Sequence, residues 1–226
     1  MRPARCHKPL MIDTPHKPMR ILPERKRHAA AIEALVAASF GPDRMQKTVY
    51  KLRENVKPIR ELCTVAVDDK GRLVASLRFW PILINDQWPA VLLGPLAVSP
   101  ELRGLGFGKA LMWHALARCR ELGIARIILV GDPEYYNPFG FRRDLALHLQ
   151  LPGWVEERRF LALETIAGSM IGVHGMIGKA GPPPKRKPEA KKPPARKRDR
   201  MRDQARKAQA RSRLERRRKA AKRKRG

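Results

Sequence analysis

A glycine-rich turn between an apolar segment and a helical pattern constrains this sequence more than any other feature. Residues 96–123 read LAVSPELRGLGFGKALMWHALARCRELG. Glycines let a backbone approach a ligand closely, and the free N–H groups and dipole of a helix N-terminus suit a pyrophosphate. The stretch therefore predicts a strand, an anion-binding turn and an amphipathic helix, with a plain strand-to-helix turn as the alternative.

Two common nucleotide-binding loops do not fit the spacing of this turn. A Walker loop requires glycine where Arg103 stands. A dinucleotide fingerprint read from Gly104 requires its third glycine at the position of Lys109. What remains is an arginine followed by two glycines, Gly106 and Gly108, at the start of the helix.

The surrounding pattern predicts an α/β or α+β domain. A Gly-Pro pair at residues 94–95 lies inside an apolar strand pattern and predicts a bulge or a splay, because proline removes a donor from the ladder. The elements that we expect are a short strand at 19–22, helices at 23–41 and 42–54, strands at 63–69, 72–84 and 88–99, the helix after the turn, and strands at 125–131, 146–151 and 158–166.

Charge divides the 226 residues into parts. Residues 179–226 hold 23 Lys/Arg and 4 Asp/Glu, a net charge of +19 out of +28. This segment is rich in Pro and Lys and cannot bury a core, so we expect a disordered basic tail. Residues 1–18 show no periodic apolar pattern and are expected to be a disordered leader. A single domain over residues 19–178 is left between them.

Cysteine usage and hydropathy indicate the compartment. Cys6, Cys63 and Cys119 form no CxxC pair, so neither a metal site nor a disulfide framework is expected. The sequence contains no signal-peptide core and no apolar run of about 18 residues. We therefore expect a cytoplasmic protein with no membrane association.

Two motifs resemble those of the GNAT acyltransferase superfamily. LAVSPELRGLGFGKAL is similar to its acyl-CoA motif [RQ]-x-x-G-x-[GA], and EYYNPFGF is similar to its later Tyr-x-x-x-Gly-Phe element. The resemblance covers residues 19–176 and is strongest with one bacterial branch of N-acetyltransferases. It implies a mixed, mostly antiparallel sheet with a splayed central strand pair and helices on both faces.

The same resemblance implies acetyl-CoA as the acyl donor and assigns the residues that bind it. The backbone of the strand before the turn would pair with the pantetheine arm, the turn would bind the pyrophosphate, and an asparagine in the second motif is a further cofactor contact. These residues are Leu96, Ala97, Val98, Arg103, Gly104, Gly106, Gly108, Lys109 and Asn137.

The resemblance also implies direct transfer of the acetyl group to an amine. Tyr136 lies four residues before Gly140 and matches the family's general acid, since a phenol's pKa of about 10 is near that of a departing thiol. Tyr135 is the adjacent rival, and a packing role in the turn is the alternative for both.

Neither the general base nor the acceptor is identified by the sequence. The strand before the turn has no carboxylate, so a water chain or a neutral amine would serve, and the weak candidates for a base are Asp86, Glu134, His148 and His174. Residues that match the usual acceptor region are Phe40, Arg44, Tyr50 and Arg53, each of which is also compatible with an ordinary helix face.

Two function classes follow, an acetyl-CoA-dependent N-acetyltransferase and a non-catalytic CoA-binding protein associated with nucleic acid. The tail's density of Lys and Arg suits RNA, ribosome or DNA phosphates, although an idle extension is the alternative. It has no aromatic residue for base stacking, and Met201 and Leu214 are too few apolar residues for membrane insertion. A monomer and a homodimer are both compatible with the sequence.

Overall fold

The computed structural model describes residues 10–14 and 17–180. Nine strands are present in these residues: β1 Leu10–Thr14, β2 Lys17–Pro23, β3 Thr64–Val67, β4 Leu73–Ile84, β5 Trp88–Val98, β6 Arg126–Val130, β7 Leu149–Gln150, β8 Phe160–Glu164 and β9 Gly175–Lys179. The α-helices are α1 Ala29–Phe40, α2 Thr48–Lys51, α3 Phe107–Glu121 and α4 Pro133–Tyr136.

The strands form one mixed sheet in the order β1-β2-β3-β4-β5-β6-β8. Neighbours along this path are antiparallel except for β5 and β6, which are parallel. β9 pairs antiparallel with β4, and β7 pairs parallel with β9. This mostly antiparallel sheet confirms the predicted fold class.

Alternating side chains of the central strands bury the two faces of the sheet under different helices. On one face, α3 packs through Leu111 and Leu116 against Leu77, Leu93 and Ile127. The opposite face is covered by α1, which buries three apolar side chains against β3 and β5, namely Ile32, Leu35 and Val36. Helices therefore lie on both faces, as the pattern predicts.

The second predicted helix is shorter than expected. Residues 42–54 contain a 3-10 turn over Pro42–Gln46 and the single turn of α2, followed by an irregular connection to β3. Lys47, whose backbone is extended, divides the expected helix into these two pieces.

The structure differs from the expected disordered leader over part of residues 1–18. β1 pairs with β2, with Leu10 opposite Ile21 and Thr14 opposite Lys17. This pairing satisfies backbone groups on an edge of β2 that would otherwise be open. Its five residues are too short to give a periodic signal. Residues 1–9, 15 and 16 lie outside the described residues.

The end of the domain also differs from the expected boundary at residue 178. β9 continues to Lys179, which lies opposite Ile82, and the Ala180 N–H donates to the Pro81 carbonyl over 3.4 Å. The first compact unit of the chain ends at Pro182. The predicted disorder of the basic tail concerns residues outside those described.

No helix within the described residues is long and apolar enough to cross a membrane.

We predict that β9 stabilises the domain through one buried side chain. Ile177→Ala removes a fully buried group, with 0% exposure, and should lower the free energy of unfolding by about 2–5 kcal/mol and Tm by about 5–15 °C. Met176→Ala is the matched control, because the Met176 side chain is 45% exposed. This change should lower the free energy of unfolding by less than about 1 kcal/mol. Equal thermal denaturation curves for the two variants would contradict this role of β9.

Candidate active site

A β-bulge in β5 lies at the centre of the candidate site. Leu77 pairs with Leu96, but the next pair in β4 and β5 is Phe79 with Leu93. Gly94 and Pro95 together therefore lie opposite Arg78, which bends β5 and increases its twist. Gly94 has φ +115°, a conformation that suits glycine.

β5 separates from β6 directly before this bulge. The two strands pair only through Val91 with Ile127 and Leu92 with Ile128. Beyond this point β5 remains paired with β4, and β6 remains paired with β8. No further residue of the described chain pairs β5 with β6. The predicted splay is thus present, and residues 96–98 keep one backbone edge that no strand covers.

The glycine-rich turn follows the free end of β5. Gly104 and Gly106 have φ +78° and +88°, and α3 begins directly after Gly106. The first N–H groups of a helix have no partner within it, so they point out of the start of α3. Arg103 and Lys109 are both exposed here, and Arg103 Nε lies 3.4 Å from the Val98 carbonyl oxygen.

Tyr135 packs against the start of α3. A Cβ placed on Gly108 would lie 2.6 Å from the Tyr135 hydroxyl and 3.4 Å from a methyl group of Val98. The glycine therefore leaves the space that the phenol occupies between helix and strand. Burial raises the pKa of Tyr135 to about 12.

Tyr136 packs against the end of β6 instead. A Cβ on Gly131 would lie 2.2 Å from Cε2 of the Tyr136 ring, so only glycine allows this contact. The ring makes edge contacts with Tyr135 and Phe141, with centroid distances of 4.9 and 5.8 Å. Burial, followed by the neighbouring Tyr135, raises the pKa of Tyr136 well above 10. The group is therefore a protonated phenol at neutral pH.

Arg53 lies beside the bulge, next to Gly94. Its Nη2 would be 3.2 Å from a Cβ on Gly94, and its guanidinium stacks over the Tyr50 ring at 4.8 Å. Trp80 Nε1 donates to the Gly94 carbonyl over 2.8 Å, which fixes this peptide. Burial lowers the pKa of Arg53 to about 10, while Tyr50 and Tyr136 raise it. The structure thus brings Arg53 and Tyr50 together beside Gly94, with Tyr136 within electrostatic range of Arg53.

The remaining acceptor candidates have other partners. Arg44 forms an ion pair with Glu33 and donates to the Gly41 carbonyl over 3.0 Å. Phe40 is partly exposed, with the Lys47 ammonium 5.9 Å from its ring centroid. These contacts stabilise the connection after α1, and they leave Arg53 as the arginine beside Gly94.

The weak candidates for a general base are dispersed. Asp86 lies in the β4–β5 hairpin with φ +53°, and Glu134 pairs with Arg158 at 3.2 Å. His148 is exposed, and His174 packs its ring against Trp88. Among the described residues, one carboxylate, Glu33, influences the pKa of Tyr50. No Asp or His and no other Glu of the described chain is among the groups that influence the pKa of Tyr50 or Arg53.

Asn137 has a structural contact that the motif does not predict. With its amide nitrogen facing them, it donates to the carbonyl oxygens of Pro133 over 3.2 Å and Phe141 over 3.0 Å. These bonds stabilise the turn after α4. Its assignment as a cofactor contact stays a prediction.

Two site residues have only weak signals in the sequence. Gly131 is a glycine at the end of a strand, and Trp80 is an aromatic residue in a strand rich in apolar side chains. Their partners, Tyr136 and the Gly94 carbonyl, are far away along the chain. Within residues 10–14 and 17–180, no group of three or more His, Cys, Asp or Glu side chains is placed to hold a metal ion.

Known proteins with similar sequences are acetyltransferases. A family model described as acetyltransferase (GNAT) family matches residues 29–141. The Escherichia coli K12 protein called uncharacterized N-acetyltransferase YhbS is 34% identical over 156 residues, which cover 66% of this chain and 89% of that protein. The uncharacterized N-acetyltransferase YjhQ of the same organism is 26% identical over 51% of this chain and 65% of its own length.

Two solved structures share the fold over most of their length. The crystal structure of the GNAT family N-acetyltransferase YhbS from Escherichia coli, in complex with CoA, has a TM-score of 0.61 and 28% identity, covering 76% of this chain and 92% of that chain. A GNAT family acetyltransferase from Brucella melitensis, in complex with acetyl-CoA, has a TM-score of 0.54 and 26% identity, covering 74% and 98%.

We predict that Gly131 keeps Tyr136 buried. Gly131→Ala places a methyl group inside the ring's contact distance, so the ring should move and its pKa should fall towards 10. The chain has three tyrosines, and burial raises the pKa of each, so ultraviolet titration of the wild type should show less tyrosinate at pH 10 than three unperturbed phenols would.

In the Gly131→Ala variant about one phenol should titrate near pH 10. Gly178→Ala is the control, because its Cβ would make only an ordinary contact, 3.8 Å from Asp86. An unchanged titration curve for Gly131→Ala would show that the ring does not depend on this glycine.

Proposed function

This chain belongs to the acetyltransferase (GNAT) family, and on that premise we propose that it transfers an acetyl group from acetyl-CoA to an amine. The matched residues 29–141 include both the glycine-rich turn and Tyr136. The two similar solved structures hold CoA and acetyl-CoA, which supports the same donor here. The observation that carries the proposal is the splay of β5 from β6 directly before a helix N-terminus.

The donor would lie across this splay. The uncovered backbone edge of Leu96, Ala97 and Val98 can pair with the amides of a pantetheine arm as an added strand would. The outward N–H groups at the start of α3 can bind the pyrophosphate, with Arg103 and Lys109 supplying positive charge. The thioester would then lie near the bulge.

Tyr136 is the proposed general acid. When the amine attacks the thioester carbonyl, a C–N bond forms, the C–S bond breaks, and the departing thiolate takes a proton. Tyr136 remains protonated at neutral pH and is close enough to Arg53 to influence the pKa of that guanidinium. Tyr135 lies against Gly108, near the start of α3, and is farther along the donor's expected path.

The amine proton needs a separate route. No carboxylate occupies β5, so we propose that the amine is bound neutral or loses its proton through water. Family membership favours this enzyme over a non-catalytic CoA-binding protein, and a glycine-rich turn before α3 together with a buried phenol supports the same choice.

Free-thiol release from acetyl-CoA with a panel of amines tests the proposal directly. Calorimetric titration with CoA separates donor binding from turnover. Heat of binding together with amine-dependent thiol release supports an acetyltransferase, whereas binding without release for every amine supports the non-catalytic alternative.

We predict that Tyr136→Phe keeps CoA affinity within about twofold and lowers kcat by about 10²–10⁴-fold, since it removes only the proton donor. Because burial raises the pKa of Tyr136 above 10, the wild-type kcat should not fall between pH 7 and 10 through ionisation of this phenol. Tyr135→Phe is the matched control. An inactive Tyr135→Phe beside a fully active Tyr136→Phe would reverse the assignment.

We further propose that the basic tail associates with RNA, ribosomes or DNA, with the cytoplasm as the expected compartment. Its net charge of +19 would release counterions from phosphates, an interaction that weakens steeply as salt rises. Nothing in its composition selects a base sequence, so retention should depend on charge alone.

Removal of residues 183–226 should separate the two properties. The cut lies beyond Lys179 and Ala180, which bond to β4, so acetyl-CoA affinity and Tm should be unchanged. Between about 50 and 200 mM salt, the truncated protein should no longer bind heparin or ribosome-containing fractions. The full chain should be retained more strongly over the same range. Equal retention of both forms would show that the tail is not the nucleic-acid anchor.

A further inference from the structure

Arg53 is a largely buried cation, and the described residues place no carboxylate against it. Its Nε atom is buried and makes no hydrogen bond to a described residue. The ion pairs of the described residues include Arg44, Arg78 and Arg159 but not Arg53. The Tyr50 ring stacks on its guanidinium and the Tyr50 hydroxyl raises its pKa, while Nη2 would lie 3.2 Å from a Cβ on Gly94.

This arrangement is costly in the protein without ligand. A buried charged group that lacks a partner loses hydration and gains little in return. Burial lowers the pKa of Arg53 only to about 10, so the guanidinium is charged at neutral pH. The residue also keeps part of its surface exposed, so a ligand can reach it. An anion beside Gly94 would compensate this charge and use the free donors.

We propose that Arg53 binds the carboxylate of the acceptor, so that the amine acetylated by this chain belongs to an amino acid or another aminocarboxylate. The inference rests on the proposed acetyltransferase function and adds the chemical class of its acceptor. A planar guanidinium offers two parallel N–H donors, which match the two oxygens of a carboxylate.

The donor's own phosphates do not explain this cation. Gly94 and Val98 are four positions apart in β5, about 13 Å in an extended strand, and the proposed phosphate-binding turn lies farther on. Arg53 therefore lies at the thioester end of the splay. Tyr136 also influences the pKa of Arg53, so the proposed proton donor lies within electrostatic range of the group that binds the ligand.

The test compares matched acids and amides as acceptors. Glycine, β-alanine, 4-aminobutyrate, the other common amino acids and their carboxamides are assayed by thiol release, so that the amine is kept while the carboxylate is removed. The wild type should prefer the best acid over its amide by about 10- to 100-fold in kcat/KM, mainly through KM.

Arg53→Gln should remove this preference and bring acid and amide to about equal kcat/KM, while calorimetric CoA affinity stays unchanged. Arg53→Lys, which keeps the charge but not the fork, should recover part of the preference. Arg60→Gln is the matched control, because this exposed arginine lies in the same connection and its loss changes the net charge equally.

Any of four results would overturn the proposal. Wild-type enzyme could acetylate acids and amides equally, or Arg53→Gln could slow both by the same factor, which would indicate that Arg53 acts on Tyr136 or the donor instead. Alternatively, the CoA-loaded protein could show neither turnover nor saturation-transfer NMR contact with any acid of the panel. Activity confined to neutral amines would reject the carboxylate while leaving the acetyltransferase function intact, and absence of CoA binding would reject that function itself.

Discussion

The bulge at Gly94 and Pro95 is the constraint on which the site depends. Two residues of β5 opposite Arg78 prevent β5 from following β6, and pairing between these central strands ends at Leu92 and Ile128. An open gap within a sheet leaves unpaired backbone groups, which must be compensated by water or a ligand. The gap thus provides both the space for a pantetheine arm and the hydrogen-bonding groups that would hold it.

Glycines on both sides of the gap assign different positions to two adjacent tyrosines. The Tyr135 hydroxyl packs against Gly108 at the start of α3, and the Tyr136 ring packs against Gly131 at the end of β6. Close packing leaves no room for a side chain at either glycine, so the two phenols cannot exchange places without moving the backbone. The distinction between the proposed proton donor and its neighbour is therefore steric before it is electronic.

The sequence predicts the local parts of this fold better than the pairings between distant segments. The Gly94-Pro95 bulge and the turn before α3 depend on backbone preferences of a few residues, which a pattern reveals. In contrast, β1 and β9 are short strands whose stability comes from β2 and β4, and no periodicity marks them. The contact of Arg53 with Gly94 joins residues 41 positions apart and likewise needs the folded chain.

The ion pairs of neighbouring arginines bear on the proposed choice of acceptor. Glu24 accepts two hydrogen bonds from Arg78 at 2.8 and 2.7 Å, directly at the bulge, and Glu33 pairs with Arg44. These two carboxylates therefore already have arginine partners, and no ion pair of the described residues includes Arg53. If the acceptor supplies an anion to Arg53, part of the acceptor's binding free energy comes from pairing a buried charge. An acceptor without a carboxylate would leave that cost in place, so the same unpaired arginine that lowers the stability of the free enzyme would select its substrate.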